Sequence, residues 1–158
     1  MSAKKMTLAE VLQAKDLEIG TSEWFPVDQA RIDSFAEATE DRQWIHVDPE
    51  RAKDTEFGGT IAHGFLVMSL LPKLFFEVVD FTDMERMINF GVDKLRFMAP
   101  VPAGDSVRLT VRLLSGRKRS GGVLMRIRGD IHLQSSGRRT LVTEMLFLAF
   151  PQTSEAPA

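Results

Sequence analysis

The stretch TIAHGFLVMSLLPKLFFEVV, residues 60–79, decides the fold. Its apolar side chains cover nearly every face of a helix: Ile61, Phe65, Leu66, Val67, Met68, Leu70, Leu71, Leu74, Phe75 and Val78. A helix that is apolar on every face is typically buried on every face. We therefore predict one helix over residues 60–79, about 30 Å long, with a kink at Pro72 because proline cannot donate a backbone hydrogen bond.

After this helix the apolar residues recur with a period of two, which is typical of strands. Residues 107–113 and 123–128 alternate in this way, and residues 88–97 are a further strand candidate. Residues 141–150 are apolar on both sides almost throughout, which predicts a central strand with cover on both faces.

Turn-forming and capping residues separate the other predicted elements. Residues 115–122 and 135–137 are rich in Gly and Ser and are predicted as hairpin loops. Residues 17–25 are predicted as a first strand. Asp28 then has the position and the side chain of an N-cap for a short helix that ends near Thr39.

These elements predict an α+β fold of the single hotdog type. A curved antiparallel sheet of about five or six strands, joined mostly by tight turns, would wrap around the long central helix and cover its apolar faces. An ordinary α+β sandwich also fits the pattern. Residues 1–150 are predicted as one domain, and the small polar residues 151–158 as a flexible tail.

Composition excludes several function classes. The 158 residues carry a formal charge of −2, with 44% apolar and 27% charged residues, so no basic footprint for nucleic acid is expected. The chain has no cysteine, which excludes disulfides, thiolate nucleophiles and cysteine-based zinc sites. The apolar window contains Lys73 and is not expected to cross a membrane, and residues 1–7 lack a secretory signal. We expect a cytoplasmic protein.

Asp41 and His46 form the first candidate site. They lie five residues apart in a segment without regular period, so both side chains can turn toward one point. A carboxylate and an imidazole that share one water make a general acid–base pair, and histidine has the intrinsic pKa nearest neutrality. The spacing alone is more typical of two unrelated surface residues.

The start of the predicted helix is the second candidate site. Gly58 and Gly59 permit close approach by a ligand, and free N–H groups at a helix start can polarise a thioester carbonyl. The two glycines can also be a simple turn. At this helix start, His63 is more typical of a hydrogen-bonded histidine than of a ligand or base. The spacing of the three histidines does not favour a metal site.

Three ordered blocks carry a family resemblance. Residues 41–49 hold an Asp, four residues, a His, and then Asp-Pro; residues 61–66 read Ile-Ala-His-Gly-Phe-Leu; residues 89–102 form the third block. Over residues 15–150 the chain resembles the MaoC-like dehydratases, which include the (R)-specific enoyl-CoA hydratases. The resemblance is closest to the bacterial hydratases that feed polyhydroxyalkanoate synthesis.

The resemblance implies a homodimer that hydrates trans-2-enoyl-CoA to (R)-3-hydroxyacyl-CoA. Asp41 and His46 would hold the water that adds syn across the double bond, and the backbone N–H of Gly64 would bind the thioester oxygen. The resemblance implies no metal, no redox cofactor and no membrane partner. Coenzyme A arrives as part of the substrate and is not a separate cofactor. The substrate contacts are expected to be His63, Phe65 and Met68.

Two departures and two alternative functions accompany this resemblance. Many family members have Gly where this chain has Glu40, and Asn-Pro where it has Gln43 and Trp44. A hotdog thioesterase is one alternative, but it usually needs a carboxylate near the central helix, and Glu77 lies near the far end. A non-catalytic acyl-CoA-binding hotdog protein is the other, which the presence of both Asp41 and His46 disfavours.

Overall fold

The computed structural model describes residues 3–152, which form eight strands and six helices. In chain order these are β1 (Lys4–Met6), α1 (Leu8–Gln13), β2 (Lys15–Thr21), β3 (Phe25–Val27), α2 (Gln29–Thr39), α3 (Trp44–Val47), α4 (Pro49–Ala52), α5 (Gly64–Ser69), α6 (Leu71–Val78), β4 (Val79–Phe81), β5 (Met84–Phe97), β6 (Asp105–Arg119), β7 (Gly122–Leu133) and β8 (Arg139–Pro151).

Six of the strands form one antiparallel sheet. The order is β2-β6-β7-β8-β5, and β3 pairs with β6 on the same side as β2. The small strands β1 and β4 pair separately and are parallel. The sheet packs against α5 and α6, so the predicted α+β hotdog fold is confirmed.

The central helix differs from the single helix predicted over residues 60–79. It begins only at Gly64, because the segment before it is not helical: Ile61 forms an antiparallel bridge with Pro102, and the N–H groups of Ile61 and Ala62 bond to the distant carbonyls of Ile45 and Val101. It is then broken at Leu70, one residue before α6, which has Pro72 in its first turn. A proline is tolerated there because the first N–H groups of a helix need no intrahelical acceptor.

The helix pair packs on the concave face of the sheet. Phe75 is fully buried and its ring lies 5.2 Å from that of Phe147 on β8. Gly129 on β7 permits close packing, since a Cβ there would lie 3.0 Å from Met145 and 3.7 Å from Leu71. The expectation that every face of the helix is buried is wrong at Phe65, which is 66% exposed.

Several strand boundaries also differ from the predictions. The first predicted strand, residues 17–25, is two strands, β2 and β3. The predicted loop over residues 115–122 is mostly strand, because β6 continues to Arg119 and the turn contains only Ser120 and Gly121. Both have positive φ, 48° and 79°, as a two-residue type I′ hairpin turn requires.

The remaining predicted elements are present. Asp28 caps α2, which ends at Thr39, and residues 88–97 lie within β5. Residues 141–150 lie within β8, which has a neighbouring strand on each side. β8 extends through Pro151, one residue beyond the predicted domain end, and the rest of the predicted tail from residue 153 lies outside the described residues.

None of the helices in residues 3–152 is long and apolar enough to cross a membrane. The cytoplasmic location stays a prediction.

Candidate active site

Asp41 lies in a short loop between α2 and α3. Glu40 ends α2 in the left-handed conformation, φ 61° and ψ 11°, and its carbonyl accepts a hydrogen bond from the Arg42 N–H. This turn reverses the chain and leaves the Asp41 side chain exposed to solvent. The carboxylate is therefore accessible to water and to a substrate.

His46 lies on the single turn α3 and is 7% exposed. Its Nδ1 lies 2.7 Å from the carbonyl oxygen of Ile61. Because a carbonyl only accepts, this contact assigns the ring proton to Nδ1 and leaves a lone pair on Nε2. His46 is thus held in the tautomer that a general base needs.

His63 lies against both of these residues. It is 2% exposed, and its Nε2 donates to the backbone carbonyl of Asp41 at 2.8 Å. Its ring stacks on that of His46, with centroids 3.8 Å apart and planes 26° apart, and Phe35 packs against it at 5.0 Å. The residues of two separate sequence blocks therefore meet in one cluster.

Asp41, His46 and His63 each offer one ligand atom, and the three atoms lie within 4.8 Å of one another. Such a donor set occurs in metal sites. Each imidazole lone pair lies in its ring plane, however, and stacked rings do not direct their lone pairs at one metal about 2 Å away. We interpret the cluster as a site for water and proton transfer; the absence of a metal stays a prediction.

Burial lowers the pKa of His46 below its usual value near 6.5, because the charged imidazolium loses hydration. The hydrogen bond to Ile61 and the negative charge of Asp41 oppose this shift, while a positive charge on His63 would add to it. The net shift is downward, so His46 is neutral at pH 7. A neutral imidazole can accept a proton from water.

A cavity of about 320 Å³ opens beside His46. His46 and Ile61 line one side, and Gly64 at the start of α5 lines another. The first N–H groups of α5 have no acceptor within the helix, as at every helix start, and the side chain of the N-cap residue His63 does not cap them. The cavity therefore combines a base with backbone donors that the N-cap side chain leaves uncapped.

The predicted substrate contacts Phe65 and Met68 lie further from this cluster. The ring centroids of Phe65 and Phe97 lie 6.0 Å apart in an edge-to-face arrangement. Phe97 in turn lines the cavity beside His46. Met68 lines a second cavity of about 350 Å³, with mostly apolar walls from α5, α6, β5 and β8. The structure thus brings Asp41, His46, His63 and Gly64 together and leaves Phe65 and Met68 along the helix.

Two features of the site have no motif in the sequence. The first is the Ile61 carbonyl, a backbone atom that any residue type would supply. The second is the wall of the cavity that Phe97 and Pro100 form. The resemblance predicts these residues only as parts of a strand and a turn. The Thr140 hydroxyl donates to the Ala99 carbonyl and fixes this wall to β8.

Glu40→Gly is expected to stabilise the protein by about 0.5–1 kcal/mol and to raise its Tm by about 1–4 °C. The reason is that Glu40 has a φ of 61°, where a Cβ is strained and glycine is not. Differential scanning calorimetry checks this. Glu40→Ala is the control, since it removes the charge but keeps the Cβ, and an equal gain in Glu40→Ala would contradict the conformational explanation.

Comparison with known proteins relates the chain to one family. The family model described as a MaoC like domain matches residues 11–131. The 3-hydroxyacyl-thioester dehydratase Z of Mycobacterium tuberculosis (strain ATCC 25618 / H37Rv) is 37% identical over 141 residues, 89% of this chain and 93% of the relative. Nodulation protein N of Rhizobium leguminosarum bv. viciae is 49% identical over 106 residues, 66% of each protein.

A solved structure gives the same result. The (R)-hydratase from A. caviae involved in PHA biosynthesis superposes with a TM-score of 0.69 at 27% identity, covering 85% of this chain and 98% of that one. The extent of the matched region is well beyond half of the chain. The chain therefore belongs to the MaoC-like dehydratase family and is an enzyme of the hydratase or dehydratase type.

Proposed function

We propose that the protein catalyses the (R)-specific hydration of trans-2-enoyl-CoA to (R)-3-hydroxyacyl-CoA, and the reverse dehydration. The observation that carries the proposal is the pairing of a neutral, oriented imidazole with a carboxylate. The Nδ1–H of His46 bonds to Ile61, and one of its ring nitrogens lies within 4.8 Å of an oxygen of Asp41. His46 lines a cavity that Gly64, at the uncapped start of α5, also lines, and Asp41 lies beside His46.

The proposed chemistry adds one water molecule without a cofactor. The water donates a hydrogen bond to Nε2 of His46 and another to the Asp41 carboxylate. As its oxygen bonds to Cβ of the enoyl group, the pair accepts a proton, and a proton from the pair bonds to Cα. The C=C π electrons form the new C–H bond, and the net change is the addition of H and OH to one face.

The thioester carbonyl gains negative charge as the enolate-like transition state forms. In this proposal the backbone N–H of Gly64 donates to that oxygen. Support comes from its place at an uncapped helix start and on the cavity that His46 also lines. Donors fixed in advance stabilise developing charge because they need no reorganisation during the reaction.

Gly64→Ala is expected to lower kcat/KM by about 10²–10³-fold. A Cβ at residue 64 would lie 3.0–3.1 Å from the ring of Phe97, so this ring, which lines the cavity, or the start of α5 must shift by a few tenths of an ångström. Steady-state hydration kinetics measure the effect. Gly59→Ala is the matched control, because its Cβ meets nothing within 4 Å. Full activity of Gly64→Ala would contradict the proposed role of this N–H.

The acyl chain is proposed to enter the second cavity, beside Met68. Support comes from its volume of about 350 Å³, from its mostly apolar walls and from its position alongside α5. Exposed Phe65 lies at the other end of α5, where the thioester would enter. The length of this cavity then limits the acyl chain that fits.

A homodimer is also part of the proposal. Within the described chain β5 pairs only with β8, so its outer edge has free backbone groups. Ile88, Phe90 and Val92 on this strand are exposed apolar residues. An edge strand of this kind is a template for pairing with another strand, and a second copy would also cover the open side of the second cavity, which Phe90 and Val92 line.

Ile88→Lys combined with Val92→Lys is expected to convert a dimer into a monomer, because unpaired lysines on an edge strand oppose strand pairing. Size-exclusion chromatography with light scattering measures the mass. Ala30→Lys on the exposed side of α2 is the control for added charge. A wild-type protein that elutes as a monomer at all concentrations would contradict the dimer.

The experiment that tests the function follows the loss of enoyl-thioester absorbance with a series from crotonyl-CoA to dodecenoyl-CoA. Chiral analysis identifies the product, and a thiol reagent detects free coenzyme A. We expect the (R)-alcohol, a maximum rate at one chain length, and no thiol release. Formation of the (S)-alcohol, or thiol release without hydration, would overturn the proposal.

A further inference from the structure

His63 is a buried histidine that the proposed reaction does not use. The proton transfer is assigned to Asp41 and His46, and the carbonyl contact to Gly64. Yet His63 is 2% exposed and contacts both members of the acid–base pair. A buried imidazole with two such contacts is costly unless its bonds are satisfied, which raises the question of its task.

We infer that His63 is a positioning residue, which fixes the Asp41 loop and the tilt of the His46 ring relative to each other. This inference rests on the proposed function, because it deepens the account of the same site. It replaces the direct substrate contact expected for His63 from the sequence with an action through its two neighbours.

The first half of the inference is the tether to Asp41. The Nε2–H of His63 donates to the Asp41 backbone carbonyl at 2.8 Å, across 22 residues of sequence. Asp41 itself is exposed and lies on a turn, so its carboxylate needs a fixed backbone to hold a defined direction. The tether connects this turn directly to the N-cap residue of α5.

The second half is the orientation of His46. Its hydrogen bond from Nδ1 to Ile61 fixes one point of the ring but leaves rotation about the Nδ1···O line. Stacking at 3.8 Å on the His63 ring opposes that rotation. Phe35 packs against His63 in turn, so the stack has support from α2. Together these contacts direct Nε2 of His46 toward one place.

The protonation state of His63 fits this task. Because Nε2 donates to a carbonyl, Nδ1 carries a lone pair, and it is buried without a hydrogen-bond partner among residues 3–152. A second proton on His63 would place a positive charge, and an N–H with no partner among these residues, beside His46. The neutral form therefore holds the pair without competing for its proton.

Two variants separate the two contacts. His63→Gln keeps a donor near the position of Nε2 but loses the aromatic ring, whereas His63→Phe keeps a ring but loses the donor. We expect each to lower kcat by about 10–100-fold, since small misplacements of reacting groups have effects of this size, with KM changed less than about threefold. His132→Gln is the control, because His132 is only partly buried, lies on β7 and does not belong to the cluster.

A titration of His46 distinguishes a positioning role of His63 from a merely structural one. His63→Phe loses the tether, so the Asp41 loop and its carboxylate are free to move away from His46. The negative charge of Asp41 raises the pKa of His46, so this pKa should fall further in His63→Phe, and the acid limb of the kcat/KM profile should move to lower pH. NMR of the His46 imidazole measures the same pKa without turnover. Wild-type kcat and an unchanged His46 titration in both variants would overturn the inference, even at reduced Tm. Absence of hydration by the wild type would instead overturn the proposed function, and the NMR titration would still test the inference.

Discussion

Asp41→Asn is expected to lower kcat/KM for crotonyl-CoA hydration by about 10²–10⁴-fold, the usual contribution of a general acid–base group. Asparagine keeps the shape of aspartate but neither carries the charge nor accepts a proton. The fold should be retained, because the side chain is exposed and the bond to His63 uses the backbone carbonyl. We therefore expect a Tm within about 2 °C of wild type.

Glu40→Gln is the matched control for this variant. Glu40 is the adjacent exposed carboxylate, it precedes the same turn, and no described contact joins it to His46. Stopped-flow or steady-state assays of both variants, with calorimetry of each, separate chemistry from folding. If Asp41→Asn keeps more than about a tenth of wild-type activity, Asp41 is not a proton-transfer group.

Much of the sheet is predictable from the sequence because its signals are local. The alternation in residues 107–113 and 123–128 sets the inward faces of β6 and β7, and Asp28 marks the start of α2. The loop predicted over residues 115–122 is too long. Ser and Gly are common in loops, yet Ser120 and Gly121 alone form the turn. Composition does not distinguish a two-residue turn from a longer loop.

The central helix shows where local signals end. Its apolar pattern extends over residues 60–79, but Ile61 and Ala62 donate their backbone hydrogen bonds to segments far away in the chain. Nothing in the local sequence identifies those acceptors. The exposure of Phe65 is also not predictable from the local sequence. An apolar pattern shows that a helix face is apolar, but it does not show whether another part of the protein, a substrate or a second chain covers that face.

In the candidate site, too, some features follow from the local sequence and others only from long-range packing. Residue type and spacing make Asp41 and His46 candidates, and the family resemblance predicts them as the acid–base pair; the structure brings them together with His63 within 4.8 Å. The hydrogen bond from His46 to Ile61 and the stack on His63 arise only when the segment after residue 60 packs beside α3. Long-range packing therefore supplies the orientation, and the sequence motif supplies the reactive groups.

His46→Asn is expected to lower kcat/KM by about 10²–10⁴-fold. The amide N–H of asparagine can replace Nδ1 in the bond to the Ile61 carbonyl, which limits the loss of stability, but no atom replaces Nε2. His46→Ala should be equally inactive and less stable, because it leaves a cavity and an unpaired carbonyl. The activity of His132→Asn, at a partly buried histidine outside the cluster, should be unaffected.

The pH profile gives an independent test of the same group. A general base must be unprotonated, so kcat/KM should fall as the pH falls through the pKa of His46. Since burial lowers that pKa, the acid limb should lie below pH 6.5 and the rate should be level at neutral pH. In Asp41→Asn the loss of the negative charge that raises this pKa should move any residual limb to still lower pH. A limb above pH 6.5 in the wild type, or one that persists unchanged in His46→Asn, would assign the base to another residue.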